Sequence, residues 1–291
     1  MGKFVGAAFC THIPRLMITD PEARRAYMGN DVTTMYEAME QIYAQKIAKL
    51  QFDTFIIVDT HWFSTTEYIL NANARLAGEY TSDELPWMIH DYAYDYGGDA
   101  ELAKLIEATC QAQGVRCVAC DYRSLPVHYV SLNTMHYLNP DKSKRVLVAS
   151  VCQTAEAHND RAFGRAIGDA VRGADTDRRV VFLGAGGMSH KFQPYDVILQ
   201  RAGADPSNIT TEENRRWDGR ILSLMLEGKH KEVLDLAVEY RKTCSPEGRF
   251  AHYLTLASAL EEEEFQVKGQ LFGRYEAAIG TGQVNVWFDL E

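Results

Sequence analysis

The chain has 291 residues, 46% of them hydrophobic and 24% charged, so it holds ample material for a buried core. Its formal net charge of −10 and pI near 5.4 argue against nucleic acid or an anionic membrane as a partner, because the long-range field would repel both. No apolar run approaches the roughly 18 residues of a membrane span, and a strand pattern begins directly after the first residues. We therefore expect a cytoplasmic protein that acts on a small molecule.

The hydrophobic pattern predicts strands that alternate with helices. Predicted strands cover residues 3–10, 54–59, 67–72, 115–119, 146–152 and 179–184. Predicted helices cover residues 35–50, 99–113, 157–174, 212–227, 229–243 and 249–262. This alternation predicts an α/β fold in a single domain, residues 1–291, with a central mixed β-sheet flanked by helices on both faces.

Two histidines stand where predicted buried strands end, His12 after the first strand and His61 after the second. Sheets of this class bind ligands just beyond the carboxyl ends of their strands. Imidazole is the commonest metal ligand, so the pair predicts a shared metal site. The alternative for each histidine is a partly buried residue that bonds a nearby carbonyl.

A glycine-rich turn, residues 184–187, follows another predicted strand and leads to His190. A phosphate-binding loop is the alternative, but neither G-x-x-x-x-G-K-[ST] nor G-x-G-x-x-G is present. We predict a tight turn that lets the backbone approach a ligand while His190 points into the same cleft.

Further candidates are His128 and Tyr129, on a predicted loop, and Glu247, in a turn set by Pro246 and Gly248. Adjacent residues of an extended segment point to opposite sides, so we expect only one of His128 and Tyr129 to face the site. Glu247 is the candidate carboxylate for the metal. Taken without context, Glu247 is an acid at a helix start, favoured there by the helix dipole.

Six cysteines occur in the chain, and their distribution favours free thiols over disulfides. Cys117 and Cys120 have the C-x-x-C spacing of a metal or redox site. No second pair completes a zinc site, so we interpret them as structural residues of a short strand.

Five short segments, taken together, make a family resemblance visible. They are Thr11–Pro14, Asp59–Trp62, Tyr80–Pro86, Ser189–Phe192 and Gly280–Asn285. In this order they resemble the class III extradiol ring-cleavage dioxygenases, the superfamily of the protocatechuate 4,5-dioxygenase catalytic subunit. Within it the chain is most similar to the branch of homoprotocatechuate 2,3-dioxygenase and 2-aminophenol 1,6-dioxygenase. The resemblance covers nearly the whole chain.

The resemblance implies an Fe(II) cofactor held by His12, His61 and Glu247. Such a facial triad leaves one side of the metal open for substrate and dioxygen. His190 matches the acid/base histidine of the family. Asp59 and Trp62, which flank His61, would orient it.

Tyr129 matches a tyrosine that this branch carries in a Tyr-Gly-Thr segment. The chain departs from the family here, because Val130 replaces the glycine and His128 precedes the tyrosine. The resemblance therefore implies a catalytic role for either His128 or Tyr129, without deciding between them.

The implied activity is extradiol cleavage of an aromatic ring by dioxygen in the catabolism of aromatic compounds. Homoprotocatechuate (3,4-dihydroxyphenylacetate) is the first expectation for the substrate, with 2-aminophenol or a dihydroxypyridine as alternatives, and the family implies a homo-oligomer. Two other classes stay open: a zinc-dependent hydrolase with the same triad, and a non-catalytic partner subunit. Retention of all three candidate ligands argues against the second.

Overall fold

The computed structural model describes residues 1–28, 33–173, 177–262 and 264–291. Its strands are β1 (Lys3–Cys10), β2 (Thr54–Ser64), β3 (Tyr68–Asn71), β4 (Arg75–Tyr80), β5 (Tyr92–Gly97), β6 (Cys117–Cys120), β7 (Arg145–Cys152), β8 (Arg179–Ala185), β9 (Gly269–Ala278) and β10 (Thr281–Asp289). Its α-helices are α1 (Pro21–Met28), α2 (Met35–Gln45), α3 (Ala100–Ala112), α4 (Tyr129–Leu138), α5 (Ala157–Gly173), α6 (Glu212–Glu227), α7 (His230–Cys244) and α8 (Ala251–Ala259).

One mixed sheet joins eight strands in the order β6-β3-β7-β2-β8-β1-β10-β9. The central strands β7, β2, β8 and β1 run parallel, while β10 pairs antiparallel with β1, and β9 antiparallel with β10. Strands β4 and β5 form a separate antiparallel hairpin. The carboxyl ends of the four central strands therefore meet at one edge of the sheet.

Alternate residues of the central strands enter two different cores. Val180 and Phe182 of β8 pack with buried side chains of α3, α5, α6, α7 and α8. Val181 and Leu183 of the same strand pack on the opposite face with those of α2 and α4. This alternation follows from the period of two in a strand. The predicted α/β fold, with a mixed sheet between helices on both faces, is confirmed.

Most predicted elements exist, with shifts at their ends. The helix predicted over 35–50 ends at Gln45 and continues as a short 3₁₀ turn, and residue 174 of the helix predicted over 157–174 lies outside the described residues. The prediction missed α1, α4, β9, β10 and the β4–β5 hairpin. None of the described helices combines the length and the hydrophobicity of a membrane span.

All six cysteines are free thiols, as predicted, and five of them are buried. Cys117 and Cys120 bound the short strand β6 at one side of the sheet. Over the part of the chain that is described, no group of potential metal ligands includes either of them. Their spacing therefore reflects a strand.

Candidate metal centre

Three predicted ligands come together at the carboxyl edge of the sheet. His12 follows β1, His61 lies near the end of β2, and Glu247 opens a short 3₁₀ turn after α7. Strands β1 and β2 flank β8 in parallel, so their ends deliver both imidazoles to the same side. One ligand atom from each of the three residues lies within 4.8 Å of the other two.

The spacing of these atoms fits one metal ion. His12 Nε2 lies 2.8 Å and His61 Nε2 lies 3.3 Å from the same oxygen, Glu247 Oε1. Ligands bound at about 2.1 Å and at right angles are about 3 Å apart. The side chains of His12 and Glu247 are each only 4% exposed, which shields the cluster from water. Two nitrogens and one carboxylate oxygen form a donor set for a divalent cation with open positions.

Glu247 is held from several sides. Its Oε2 accepts a hydrogen bond from the backbone N–H of Gly187 (2.6 Å), and its Oε1 accepts one from the hydroxyl of Thr60 (3.0 Å). Burial opposes ionisation of the carboxyl group, but the imidazoles of His12 and His190 outweigh it and hold the pKa of Glu247 well below its usual range. The carboxylate is therefore fixed in place and ionised.

The glycine-rich turn is required by close packing at this carboxylate. A Cβ on Gly186 would lie 2.6 Å from a methyl carbon of Thr60, and a Cβ on Gly187 would lie 3.0 Å from Glu247 Oε2 and 2.7 Å from Gln283 Nε2. The turn thus brings the backbone against a ligand side chain, which agrees with the predicted tight turn. The backbone N–H of Gly187 in this turn already has an acceptor, the Glu247 carboxylate.

The strand predicted over residues 54–59 continues to Ser64, so His61 lies within β2 rather than after it, and a bulge in the strand presents it. The pairing of β2 with β7 shifts register between Asp59 and Phe63, so the intervening residues leave the ladder. Asp59 Oδ1 accepts hydrogen bonds from the backbone N–H groups of His61 and Trp62, while Asp59 Oδ2 accepts one from the Ser131 hydroxyl. Asp59 therefore fixes the backbone of the bulge and orients His61 through it.

His61 also contacts a carboxylate that the sequence did not single out. Glu84, in the loop between β4 and β5, lies 3.4 Å from His61 Nδ1 through its Oε1. Burial lowers the pKa of His61, but Glu247 and Glu84 outweigh it and raise the pKa to about 10. The signal available in the sequence was the Tyr80–Pro86 segment, which carried the family resemblance.

Tyr129 faces the cluster and His128 does not. The Tyr129 hydroxyl lies 3.2 Å from His61 Nε2, and the side chain is buried. His128 is half-buried with its ring 6.3 Å from that of Tyr80, and it does not line the cavity beside the cluster.

The expectation of an extended loop at these two residues is wrong, because His128 is the N-cap of α4 and Tyr129 is its first residue. Nine of the ten residues of α4 are buried. The helix therefore has almost no solvent-exposed face, and its polar residues, such as Ser131 and Asn133, are buried too, so its sequence lacks the amphipathic period that marks a helix.

His190 stands on the same side, as predicted. Its Nε2 lies 4.0 Å from Glu247 Oε2, and its ring packs edge-on against Phe192 at 4.8 Å between centroids. Burial lowers the pKa of His190 and outweighs the opposing effect of Glu247. The imidazole is therefore neutral near pH 7 and able to accept a proton.

Residues from β10 and α4 anchor the backbone around His12, and sequence analysis gave no role to them. The backbone N–H of Thr11 donates to Asn285 Oδ1 (3.0 Å), and its hydroxyl donates to Gln283 Oε1 (2.5 Å). The Asn133 side chain donates to the His12 carbonyl (2.7 Å). The Gly280–Asn285 segment therefore fixes Thr11, the residue directly before His12.

A cavity of about 950 Å³ opens beside the three ligands, large enough for a substituted aromatic ring. Its apolar wall includes Ile13, Pro14, Phe63, Leu85, Phe192 and Val238. Cationic side chains from α7 and the following turn line another part, namely Arg241, Lys242 and Arg249. Glu84 and Glu156 also line the cavity, and Glu156 pairs with Arg249 at 3.0 Å, so the centre lies in a largely apolar cavity with charges of both signs.

Comparison with known proteins identifies the family. The family described as the catalytic LigB subunit of aromatic ring-opening dioxygenase matches residues 6–289. The chain belongs to this family. It is a metal-dependent, ring-cleaving extradiol dioxygenase that acts on an aromatic substrate with dioxygen.

Two relatives of this LigB-family enzyme match along nearly their whole length. The 3,4-dihydroxyphenylacetate 2,3-dioxygenase of Escherichia coli is 30% identical over 269 residues, which cover 92% of this chain and 94% of the relative. The 2-aminophenol 1,6-dioxygenase beta subunit of a Pseudomonas species is 22% identical over 300 residues, covering 99% and 95%.

The fold is also similar to that of an uncharacterised protein of Escherichia coli K12 with a solved crystal structure. The TM-score is 0.59 at 14% sequence identity, over 98% of this chain and 99% of the other. At this level of identity, the likeness concerns the fold alone.

Proposed function

We propose that this enzyme binds Fe(II) through His12, His61 and Glu247 and opens the ring of 3,4-dihydroxyphenylacetate. The observation that carries the proposal is the cluster of two imidazoles and one carboxylate at the sheet edge, beside a cavity of aromatic size. Ferrous oxygenases use this donor set and keep the remaining metal positions open.

Zinc is the principal alternative metal, since two histidines and a glutamate also suit a hydrolytic zinc site. Membership of a dioxygenase family favours iron, because ring cleavage by dioxygen requires a metal that exchanges electrons and zinc does not. Bound Fe(II) would supply the redox chemistry that protein side chains lack.

The residues around the triad have proposed roles of their own. His190, neutral through burial, would accept a proton from a ring hydroxyl group and return a proton as the ring opens. The buried Tyr129 hydroxyl, 3.2 Å from His61 Nε2, would bond a ring oxygen held beside that ligand. His128, outside the cavity wall, would act at most indirectly.

One cation of the cavity wall supports an anionic substrate. Lys242 lines the cavity, and the carboxylate arm of 3,4-dihydroxyphenylacetate would find a counter-charge there, whereas Arg249 already pairs with Glu156 at 3.0 Å. The same compound appears in the name of the 30% identical relative. The alternatives, 2-aminophenol and a dihydroxypyridine, carry no such arm. A Lys242→Ala variant should raise KM for 3,4-dihydroxyphenylacetate more than KM for the uncharged 4-methylcatechol.

Oxygen uptake tests the proposed reaction. Protein loaded anaerobically with Fe(II) is offered 3,4-dihydroxyphenylacetate, 2-aminophenol, 4-methylcatechol and 3-hydroxy-4-pyridone, and the product spectrum is recorded. The proposal expects the highest kcat/KM with 3,4-dihydroxyphenylacetate, and a yellow semialdehyde product. A higher kcat/KM with 2-aminophenol or the pyridone would make that compound the substrate in place of 3,4-dihydroxyphenylacetate. Absence of oxygen uptake with all four compounds would overturn the proposed reaction.

We also propose that residues 1–291 form one catalytic domain that assembles into a homo-oligomer. The single domain is supported by the sheet, in which β1 and β10, strands from the two ends of the chain, are neighbours. Light scattering coupled to size exclusion should give a mass above the 32.8 kDa of one chain. The beta subunit in the name of one relative makes a hetero-oligomer the alternative, and activity of the purified chain alone would exclude a required partner.

A further inference from the structure

We propose that Glu84 is a positioning residue for His61, whose carboxylate holds Nδ1 of the imidazole so that Nε2 is presented to the metal. The inference rests on the proposed metal centre and adds a residue to it that supplies no ligand atom. Glu84 comes from the β4–β5 hairpin, which is separate from the sheet that carries His12 and His61.

The two nitrogens of His61 face different partners. Nε2 lies 3.3 Å from Glu247 Oε1 and 3.2 Å from the Tyr129 hydroxyl, on the side of the triad. Nδ1 lies 3.4 Å from Glu84 Oε1 on the other side. A histidine that ligates a metal usually donates its second N–H group to a carboxylate or carbonyl, which fixes both the tautomer and the ring orientation. Glu84 occupies the place of that acceptor.

Hydrogen bonds fix the backbone of the loop that carries Glu84. The backbone N–H of Ser82 donates to the carbonyl of Ile89 (2.9 Å), and the Ser82 hydroxyl accepts from the N–H of Leu85 (3.1 Å). Ser82 and Ile89 are both buried, which anchors the two sides of the loop. Glu84 therefore reaches His61 from a fixed backbone, although 56% of its side chain is exposed.

The other histidine of the triad is held differently. His12 is 4% exposed, and its backbone is fixed by the bond from Asn133 to its carbonyl. His61 is 18% exposed and lies on a bulge, so its ring has more room to turn. We therefore expect His61 to be the ligand that depends on an added carboxylate.

Glu84 also lines the cavity, so direct contact with substrate is the competing role. The two roles differ in what they change. A positioning residue alters metal affinity in the absence of substrate, whereas a substrate contact alters KM and leaves metal affinity unchanged.

The experiment titrates metal-free enzyme with Fe(II) under anaerobic conditions and with Co(II), whose visible spectrum reports ligand geometry. Glu84→Ala should weaken both affinities by about 10- to 100-fold, the range for lost partners of ligating histidines. Glu84→Gln keeps an acceptor oxygen on the same stem, so it should recover most of the affinity and the wild-type Co(II) spectrum. Asp83→Asn removes one negative charge, as Glu84→Gln does, at the exposed neighbouring residue, and it should leave both metal affinities at the wild-type value.

Wild-type affinity in Glu84→Ala would overturn the inference, as would an equal loss in Asp83→Asn. A raised KM with unchanged metal affinity would assign Glu84 to the substrate instead. Failure of the wild-type protein to bind either metal would overturn the proposed function, and this inference with it, whereas wild-type binding with unaffected Glu84 variants would overturn the inference alone.

Discussion

His12 Nε2 lies 2.8 Å from Glu247 Oε1, although His12 follows the first strand and Glu247 precedes the last helix. The contact exists because β1 ends beside β8, and the turn after β8 donates the Gly187 N–H to the same carboxylate. The parallel strands at the centre of the sheet therefore position the two histidines of the metal centre, and the turn between α7 and α8 supplies Glu247.

Replacing His190 separates proton transfer from metal binding. His190→Phe should keep the metal content of the wild type and slow turnover by about 10²-fold or more, the scale of a lost general acid/base. Metal analysis and steady-state kinetics on the same preparation check this. Wild-type turnover in His190→Phe would reduce its role to a structural one.

Tyr129→Phe removes only a hydroxyl group from the wall nearest His61. It should leave metal content unchanged and lower kcat/KM by a factor that corresponds to about 1–3 kcal/mol, the range for a buried polar partner left unsatisfied. His128→Ala should have a smaller effect because His128 lies outside the cavity wall. Measured kcat/KM values in the reverse order would mean that the wrong residue has been assigned to the substrate.

Gly187→Ala should disturb the triad without changing a ligand. The new Cβ would lie 3.0 Å from Glu247 Oε2 and 2.7 Å from Gln283 Nε2, so we expect metal affinity to fall by about tenfold or more. The matched control is Gly219→Ala in α6, where a Cβ meets nothing within 4 Å. That variant should bind metal normally and gain about 0.5–1 kcal/mol in the free energy of unfolding. Equal metal affinity in the two variants would contradict the packing argument.

A carboxylate outside the candidate site should contribute to acid stability. Burial raises the pKa of Glu262, but hydrogen bonds from Arg161 and Ser258 outweigh it and lower the pKa to about 2. A depressed pKa stabilises the folded protein above the unfolded value near pH 4.5, and this stabilisation is lost as pH falls toward 2.

Glu262→Gln should therefore lower the free energy of unfolding at pH 7 by on the order of 1–3 kcal/mol, with a difference from wild type that shrinks below pH 4.5. Urea unfolding at several pH values measures it. Glu261→Gln, at an exposed residue, should cost less than about 1 kcal/mol. A difference for Glu262→Gln that stays constant down to low pH would contradict the linkage.

The sequence predicted those strands and helices that have a clear local pattern. Buried strands such as β1 and β8 are continuous apolar runs, and a helix such as α6 has a clear start and its own C-terminal glycine, Gly228. Those elements were predicted nearly to the residue. Helix α4 was missed because its burial on all sides removes the amphipathic period, and the β4–β5 hairpin because most of its residues are exposed or half-buried.

The residues of the candidate site also fall into two groups, those that a local sequence pattern predicted and those that needed other information. His12, His61 and His190 could be predicted because each lies near or just beyond the carboxyl end of a strand, and fold topology places such residues at one edge. Glu247 lies after a helix, and the family resemblance was needed to select it. Asn133 reaches the site through a tertiary contact with no local pattern, and Glu84 lies in a segment that carried the resemblance, but its contact with His61 required the structure.

Iron content after anaerobic loading and desalting tests the central claim most directly. Wild-type protein should retain about one Fe(II) per chain, because three ligands converge on one position. Glu247→Ala should retain almost none and consume no oxygen with a catechol, while Glu239→Ala, which removes an exposed carboxylate of α7, should match wild type in both. Full iron content and oxygen uptake in Glu247→Ala would contradict the proposed metal centre.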